Sequence, residues 1–124
     1  MPIALIIDDS RPAAESLAPM LRLLGYDPLI AYGPRAAIEI IQRRVPEVIL
    51  TDINMPGVDG IELCKFLRRD PRTARVPIIA LSSDNQPSVA RNVMAAGANV
   101  FLPKPIAFET LENFLNSLPA KPKI

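Results

Sequence analysis

Five short runs of mostly apolar residues divide this chain, and each is followed by a segment with helical periodicity. The runs are Ile3–Ile7, residues 28–32, 47–51, 77–81 and 99–102. Each is short and nearly continuous in its apolar character, which predicts a strand buried on both faces. Between them, apolar side chains recur at helical spacing. The first such set is Ala13, Leu17, Met20, Leu21 and Leu24, closed by Gly25, and the second is Ala37, Ile38, Ile41 and Val45 after Pro34. Ile61, Cys64 and Leu67 form the third set, and Val89, Val93 and Ala96 the fourth, stopped by Gly97. Phe108, Leu111, Leu115 and Leu118 complete the series. Residues 53–60 read as a loop, and Pro19 is expected to kink the first helix near Glu15 because it removes a hydrogen bond. Strand and amphipathic helix in strict alternation imply a parallel α/β sheet with helices on both faces.

In such a sheet, ligands bind beyond the carboxyl ends of the strands. The polar residues there are Asp8 and Asp9 after the first strand, Asp52 after the third, Ser82 and Ser83 after the fourth, and Lys104 after the fifth. Three carboxylates on one rim repel one another unless a counter-charge is present. Oxygen ligands of this kind suit Mg²⁺, which typically takes one or two carboxylates together with a phosphate. Metal, ammonium and hydroxyl together suit a tetrahedral dianion. Phosphoryl transfer asks mainly for such positioning and charge stabilisation, and a carboxylate can serve as the nucleophile.

Composition removes several alternatives. The chain has 124 residues, one cysteine and no histidine. A histidine base, a histidine metal ligand and an internal disulfide are therefore excluded, and zinc is a poor fit. A formal net charge of +1 gives no footprint for nucleic acid. No apolar run approaches the ~18 residues of a membrane span, and the N-terminus lacks the basic region of a signal peptide. A reduced cytoplasmic location is the expectation. Length and pattern predict one domain over 1–118 with a flexible tail at 119–124.

Each polar residue also has an ordinary reading: Asp8 and Asp9 as helix caps, Asp52 and the serines as turn residues, Lys104 as a solvated charge. One site accounts for all of them together. The segments IIDDS, TDINMPGVDG and PIIALSS, followed by Lys104-Pro105, resemble the receiver domain of two-component response regulators from about Ile3 to Leu118. Pro56, Gly57, Asp59 and Gly60 match that family's loop after the acceptor. Ile106 after Lys-Pro and Pro19 in the first helix depart from its usual pattern.

The resemblance implies a flavodoxin-like doubly wound sheet of five parallel strands, order 2-1-3-4-5, with five helices. It implies Asp52 as phosphoacceptor, with Mg²⁺ held by Asp9 directly, by Asp8 through water, by Asp52 and by the Asn54 carbonyl. Lys104 would pair with a phosphoryl oxygen, Ser82 would move to the phosphoryl group, and Phe101 would rotate inward behind it. Asn54 and Asp84, each two residues past a rim residue, are placed to tune the phosphoryl lifetime. Ala90, Met94 and Phe114 join Ser82 and Phe101 as a switch and output face on the fourth helix, fifth strand and fifth helix. A histidine kinase, phosphotransfer protein or small-molecule donor would supply the phosphoryl group. The output would be a downstream target protein or a phosphorylation-dependent homodimer, with no direct contact to nucleic acid or membrane. No output domain follows in this sequence, so a stand-alone switch is expected, one that assists its own phosphorylation and dephosphorylation without being a turnover enzyme. Three other readings fit less well. A dehalogenase-type phosphatase needs an aspartate where Asn54 stands. A nucleotide or flavin binder needs glycines that the Asp8–Pro12 loop lacks. A degenerate receiver would not keep the full acidic set with Lys104.

Overall fold

The structure is a computed structural model that describes residues 1–55, 57–84 and 86–118, with the backbone alone at position 58. Pro56 and the expected tail at 119–124 lie outside the described residues. The five apolar runs become β1 (Ile3–Ile7), β2 (Asp27–Ala31), β3 (Val48–Asp52), β4 (Ile78–Ser82) and β5 (Val100–Pro103). They form one parallel sheet in the order β2-β1-β3-β4-β5, as expected. The three central strands are buried along their whole length. This is why they read as unbroken apolar runs and not as alternating ones.

Five helices cover the sheet: α1 (Arg11–Leu23), α2 (Pro34–Arg43), α3 (Gly60–Arg69), α4 (Pro87–Ala95) and α5 (Phe108–Ser117). Successive strand residues point to opposite faces, so β1 sends Leu5 and Ile7 to one core and Ala4 and Ile6 to the other. The first core is closed by Ala37 and Ile41 of α2, by Leu63, Cys64 and Leu67 of α3 and by Val93 of α4. Ala14, Leu17 and Leu21 of α1, with Leu111 and Leu115 of α5, close the second. Burial pushes the Cys64 thiol up to about 11, so the one cysteine is an inert core residue.

Three sequence expectations need correction. α2 ends at Arg43, before Val45, which is half-buried in the connection to β3. The segment after Asp52 is more than a loop: Asn54–Met55 and Val58–Asp59 pair as a short antiparallel ribbon. α3 then starts at Gly60 and buries Leu63 with the expected Cys64 and Leu67, while Ile61 is only half-buried. α1 is continuous from Arg11 to Leu23 with Pro19 inside it, as the expected helix was. Pro19 and Glu15 are both exposed, so water can satisfy the Glu15 carbonyl while the buried Ala14, Leu17, Ala18 and Leu21 hold the helix to the sheet.

Arg68 joins three segments at the end of the sheet opposite the polar rim. Its Nε donates to the Gly97 carbonyl at 2.9 Å, its Nη1 to those of Thr73, Ala74 and Val76 at 3.1, 3.3 and 2.7 Å, and its Nη2 to Asn99 Oδ1 at 2.8 Å. Asn99 Oδ1 also accepts from the Ile78 N–H at the start of β4. Gly97 makes room for this arrangement: its φ is +118°, and a Cβ there would lie 2.5 Å from Arg68 Cγ. The planar guanidinium fork serves several fixed carbonyls at once, which a single ammonium cannot do. Arg68→Ala should therefore cost about 3 kcal/mol in urea unfolding, because several carbonyls lose a charged donor together, and Arg68→Lys should recover less than half. A loss below about 1 kcal/mol for Arg68→Ala, the range of a single ordinary hydrogen bond, would contradict this account.

Candidate phosphoacceptor site

The register of the sheet brings the candidate residues to one level. Ile7 pairs with Thr51, Asp52 with Leu81, and Ser82 with Pro103. Asp8 therefore follows its strand directly, whereas Asp52 and Ser82 are the last residues of β3 and β4. Lys104 comes one residue after β5, and its N–H donates to the Ser82 carbonyl at 2.9 Å.

Asp8, Asp9 and Asp52 converge, each with one carboxylate oxygen within 4.8 Å of the others. Asp8 is fully buried, Asp52 is 5% exposed and Asp9 faces solvent. The capping explanation does not account for them. Ser10 caps α1, its hydroxyl accepting from the Ala13 N–H at 3.4 Å. Asp8 Oδ1 accepts from the Ser10 N–H at 2.9 Å, while no partner is seen for the Asp9 carboxylate among the described residues. Lys104 Nζ lies 2.7 Å from Asp8 Oδ2 and 3.5 Å from Asp52 Oδ2. Three carboxylates thus face one ammonium. If all are ionised, the excess is two negative charges, which one divalent cation would balance. Burial raises the Asp52 pKa above its ordinary value; Lys104 and the Asn54 N–H pull it down, and the Asp8 charge pushes it up again. The donor set is oxygen only and partly exposed at Asp9, which fits Mg²⁺.

The hydroxyl of Ser82 is buried and accepts from Asn54 Nδ2 at 3.0 Å and from the Asp84 N–H at 2.9 Å. Asn54 is tied to Asp52 as well, its N–H donating to Asp52 Oδ1 at 3.2 Å. Asp84 is half-buried, and its carboxylate caps the next turn through the Gln86 N–H at 3.0 Å. Ser83 is exposed and lines a groove of about 430 Å³ beside Lys104, with Leu17, Met20 and Ile106.

Two features were missed in the sequence. Gly60 packs directly on Ile53: its N–H donates to the Ile53 carbonyl at 3.1 Å, and a Cβ would lie 2.5 Å from Ile53 Cα. This glycine lets α3 begin directly against the Ile53 backbone, and the Asp59-Gly60 pair was its available signal. The Asn54–Ser82 bond had no signal, because the two residues are far apart in the chain. Of the expected output residues, Met94 is 43% exposed, and Ala90, Phe101 and Phe114 are half-buried. Phe101 packs on the α2–α3–α4 core and Phe114 on the α1–α5 core, so the two rings lie against opposite faces of the sheet.

Comparison with known proteins agrees with this geometry. Residues 4–116 match the response regulator receiver domain model. The chain is 36% identical over 103 residues to the phosphate regulon transcriptional regulatory protein PhoB of Pseudomonas aeruginosa, covering 83% of this chain and 45% of that protein. It is 36% identical over 112 residues to response regulator MprA of Mycolicibacterium vanbaalenii, covering 90% of this chain and 48% of that one. The chain thus spans less than half the length of these curated relatives. Among solved structures, the chemotaxis protein CheY4 of Vibrio cholerae superposes with a TM-score of 0.86 at 31% identity, covering 94% of this chain and 97% of that one. A response regulator from Chloroflexus aurantiacus gives 0.86 at 33% identity, covering 94% and 96%. A parallel sheet whose carboxyl rim gathers an acidic trio, a lysine and a buried serine, matched over nearly its whole length, places this chain in the response regulator receiver domain family of two-component signalling.

Proposed function

We propose that Asp52 accepts a phosphoryl group and that this reaction switches the domain between two states of different partner affinity. The observation that supports this most directly is the setting of Asp52, nearly buried at a strand end with Lys104 Nζ 3.5 Å from one carboxylate oxygen and two further aspartates alongside. An Asp52 oxygen attacks the donor phosphorus, and the bond from phosphorus to the donor breaks with its electron pair leaving on the donor. The donor is a phosphohistidine of a kinase or phosphotransfer protein, or a small acyl phosphate. Asp8, Asp9, Asp52 and the Asn54 carbonyl would hold Mg²⁺, which supplies positive charge against the phosphoryl oxygens. Lys104 now rests on Asp8 and would shift toward a phosphoryl oxygen. Ser82 donates its hydroxyl to another, and Phe101 turns inward behind it. Asn54 and Asp84 flank the approach of water and set the lifetime. The chain assists both steps without being a turnover enzyme.

In this reading the switch works in the cytoplasm, where its donors are found. Among the described residues, no helix is long and apolar enough to cross a membrane. The signal is read by a downstream protein, or by a second copy of the domain, on α4, β5 and α5. Met94 is exposed on α4, and Ala90, Phe101 and Phe114 are half-buried on either side of the edge strand β5, so the surface would run around that edge, with Met94 as its most accessible apolar contact. Phosphorylation biases an existing equilibrium between the two states.

Three tests follow from this reading. Incubation with acetyl phosphate and Mg²⁺ should add one phosphoryl mass to the wild-type protein, with none on Asp52→Asn and at least about tenfold slower labelling on Asp9→Ala, the rate change for ~1.4 kcal/mol. Equal labelling of Asp52→Asn would overturn the assignment of the acceptor. A second test uses stability with Mg²⁺ chelated. Because burial raises the Asp52 pKa, ionisation costs the folded state more than the unfolded chain. That cost is absent below the ordinary carboxylate range and complete above the raised folded value. Asp52→Asn should therefore raise the thermal midpoint at neutral pH by a few degrees, and the gain should shrink as the pH falls through the acid range. Equal midpoints at neutral pH would contradict this. Third, Met94→Asp and Phe114→Asp should abolish association that depends on beryllofluoride, measured by analytical ultracentrifugation or partner pull-down, while both variants remain phosphorylatable. If both retain it, the output surface lies elsewhere.

A further inference from the structure

The side-chain hydroxyl of Ser82 holds two bonds in the resting state, and both reach it as donors. A hydroxyl has two acceptor lone pairs and one proton, so its acceptor capacity is filled and only its proton is left to give. The two bonds differ in kind. The Asp84 N–H lies two residues away in the same loop and can follow that loop when it moves. The Asn54 amide comes from the loop after β3 and bridges a separation of 28 residues. The backbone ladder between β3 and β4 ends where the Ile53 N–H meets the Leu81 carbonyl at 3.0 Å. The Asn54–Ser82 bond carries that link one step further through side chains. The Asn54 backbone is held on the other strand's side of this link, its own N–H donating to Asp52 Oδ1.

We propose that the Asn54 amide is a latch that holds the Ser82 hydroxyl in its resting position, and that its release couples activation to the timing of hydrolysis. The inference rests on Asp52 as phosphoacceptor and deepens that reading. To donate to a phosphoryl oxygen, Ser82 turns away from Asn54 and the amide bond breaks. The freed Asn54 amide then stands beside Asp52 with both N–H groups open to an incoming water. The resting state thus keeps the lifetime-setting amide occupied, and the active state releases it. In the resting state Asn54 is a positioning residue that acts through Ser82. The plainer alternative is a surface hydrogen bond that biases neither state, since the Asn54 side chain is exposed and water can replace Ser82 as its partner.

The test uses beryllofluoride, which does not turn over, so that hydrolysis does not enter the readout. Its affinity is measured by calorimetry at saturating Mg²⁺ for wild type, Asn54→Ala, Ser82→Ala and the double variant. Loss of a latch worth one hydrogen bond should tighten binding to Asn54→Ala by about 3- to 10-fold. In the Ser82→Ala background the same substitution should change affinity by less than about twofold, because distant contributions add and only coupled ones do not. Without ligand, the Ser82 and Asp84 amide resonances of Asn54→Ala should move toward their beryllofluoride-bound positions. Unchanged or weaker binding to Asn54→Ala overturns the latch, as does an equal gain in both backgrounds, which would mark direct action on the ligand. Failure of the wild-type protein to bind beryllofluoride at all would instead overturn the phosphoacceptor reading on which the latch depends.

Discussion

The ion pair between Lys104 and the fully buried Asp8 organises this molecule. A buried carboxylate is costly unless it is paired and hydrogen-bonded, and Asp8 meets both conditions, with Lys104 on Oδ2 and the Ser10 N–H on Oδ1. The pair ties the end of β1 to the end of β5 across the intervening strands, and it places an ammonium between Asp8 and Asp52. One lysine still does not neutralise three aspartates. On the proposed function, the remaining charge would be met by a divalent cation and, with it, a phosphoryl dianion. Burial raises the pKa of Asp52, and the neighbouring Asp8 charge adds to that rise while Lys104 opposes it.

The rest of the fold supports that rim. Central strands buried on both faces leave the backbone at their ends little freedom, so Asp52 and Ser82 are set by sheet register. Gly60 fixes the loop after Asp52 by packing on Ile53. At the far end Arg68 ties α3 to the Gly97 turn that follows α4. The C-terminal end of α4 is therefore held by a charged fork. At its other end Gln86 caps the helix without a side-chain bond, and the preceding loop joins the rim through Ser82 and Asp84.

Much of this was legible in the chain. The apolar runs gave the strands and their parallel arrangement because burial on both faces leaves a direct trace in composition. Asp8, Asp9, Asp52, Ser82 and Lys104 stood out because polar residues that end apolar strands converge on one rim. Strand order came from resemblance, since periodicity carries no information about which strands are neighbours. Other features depend on contacts between distant segments. The ribbon after Asp52, the Gly60–Ile53 approach, the five bonds of Arg68 and the Asn54–Ser82 bond are tertiary events that local patterns do not encode. Val45 was misplaced for a related reason: its helical spacing continued past the point where the chain had already turned toward β3.

The most direct measurement is a crystal structure of the protein grown with Mg²⁺ and beryllofluoride. The account predicts beryllium bonded to a carboxylate oxygen of Asp52, Mg²⁺ against Asp9, Asp52 and the Asn54 carbonyl, and Lys104 moved from Asp8 onto a fluoride. It also predicts the Ser82 hydroxyl turned to the fluorides and separated from the Asn54 amide. Beryllofluoride bound away from Asp52, or Lys104 still seated on Asp8 with the acceptor occupied, would contradict it.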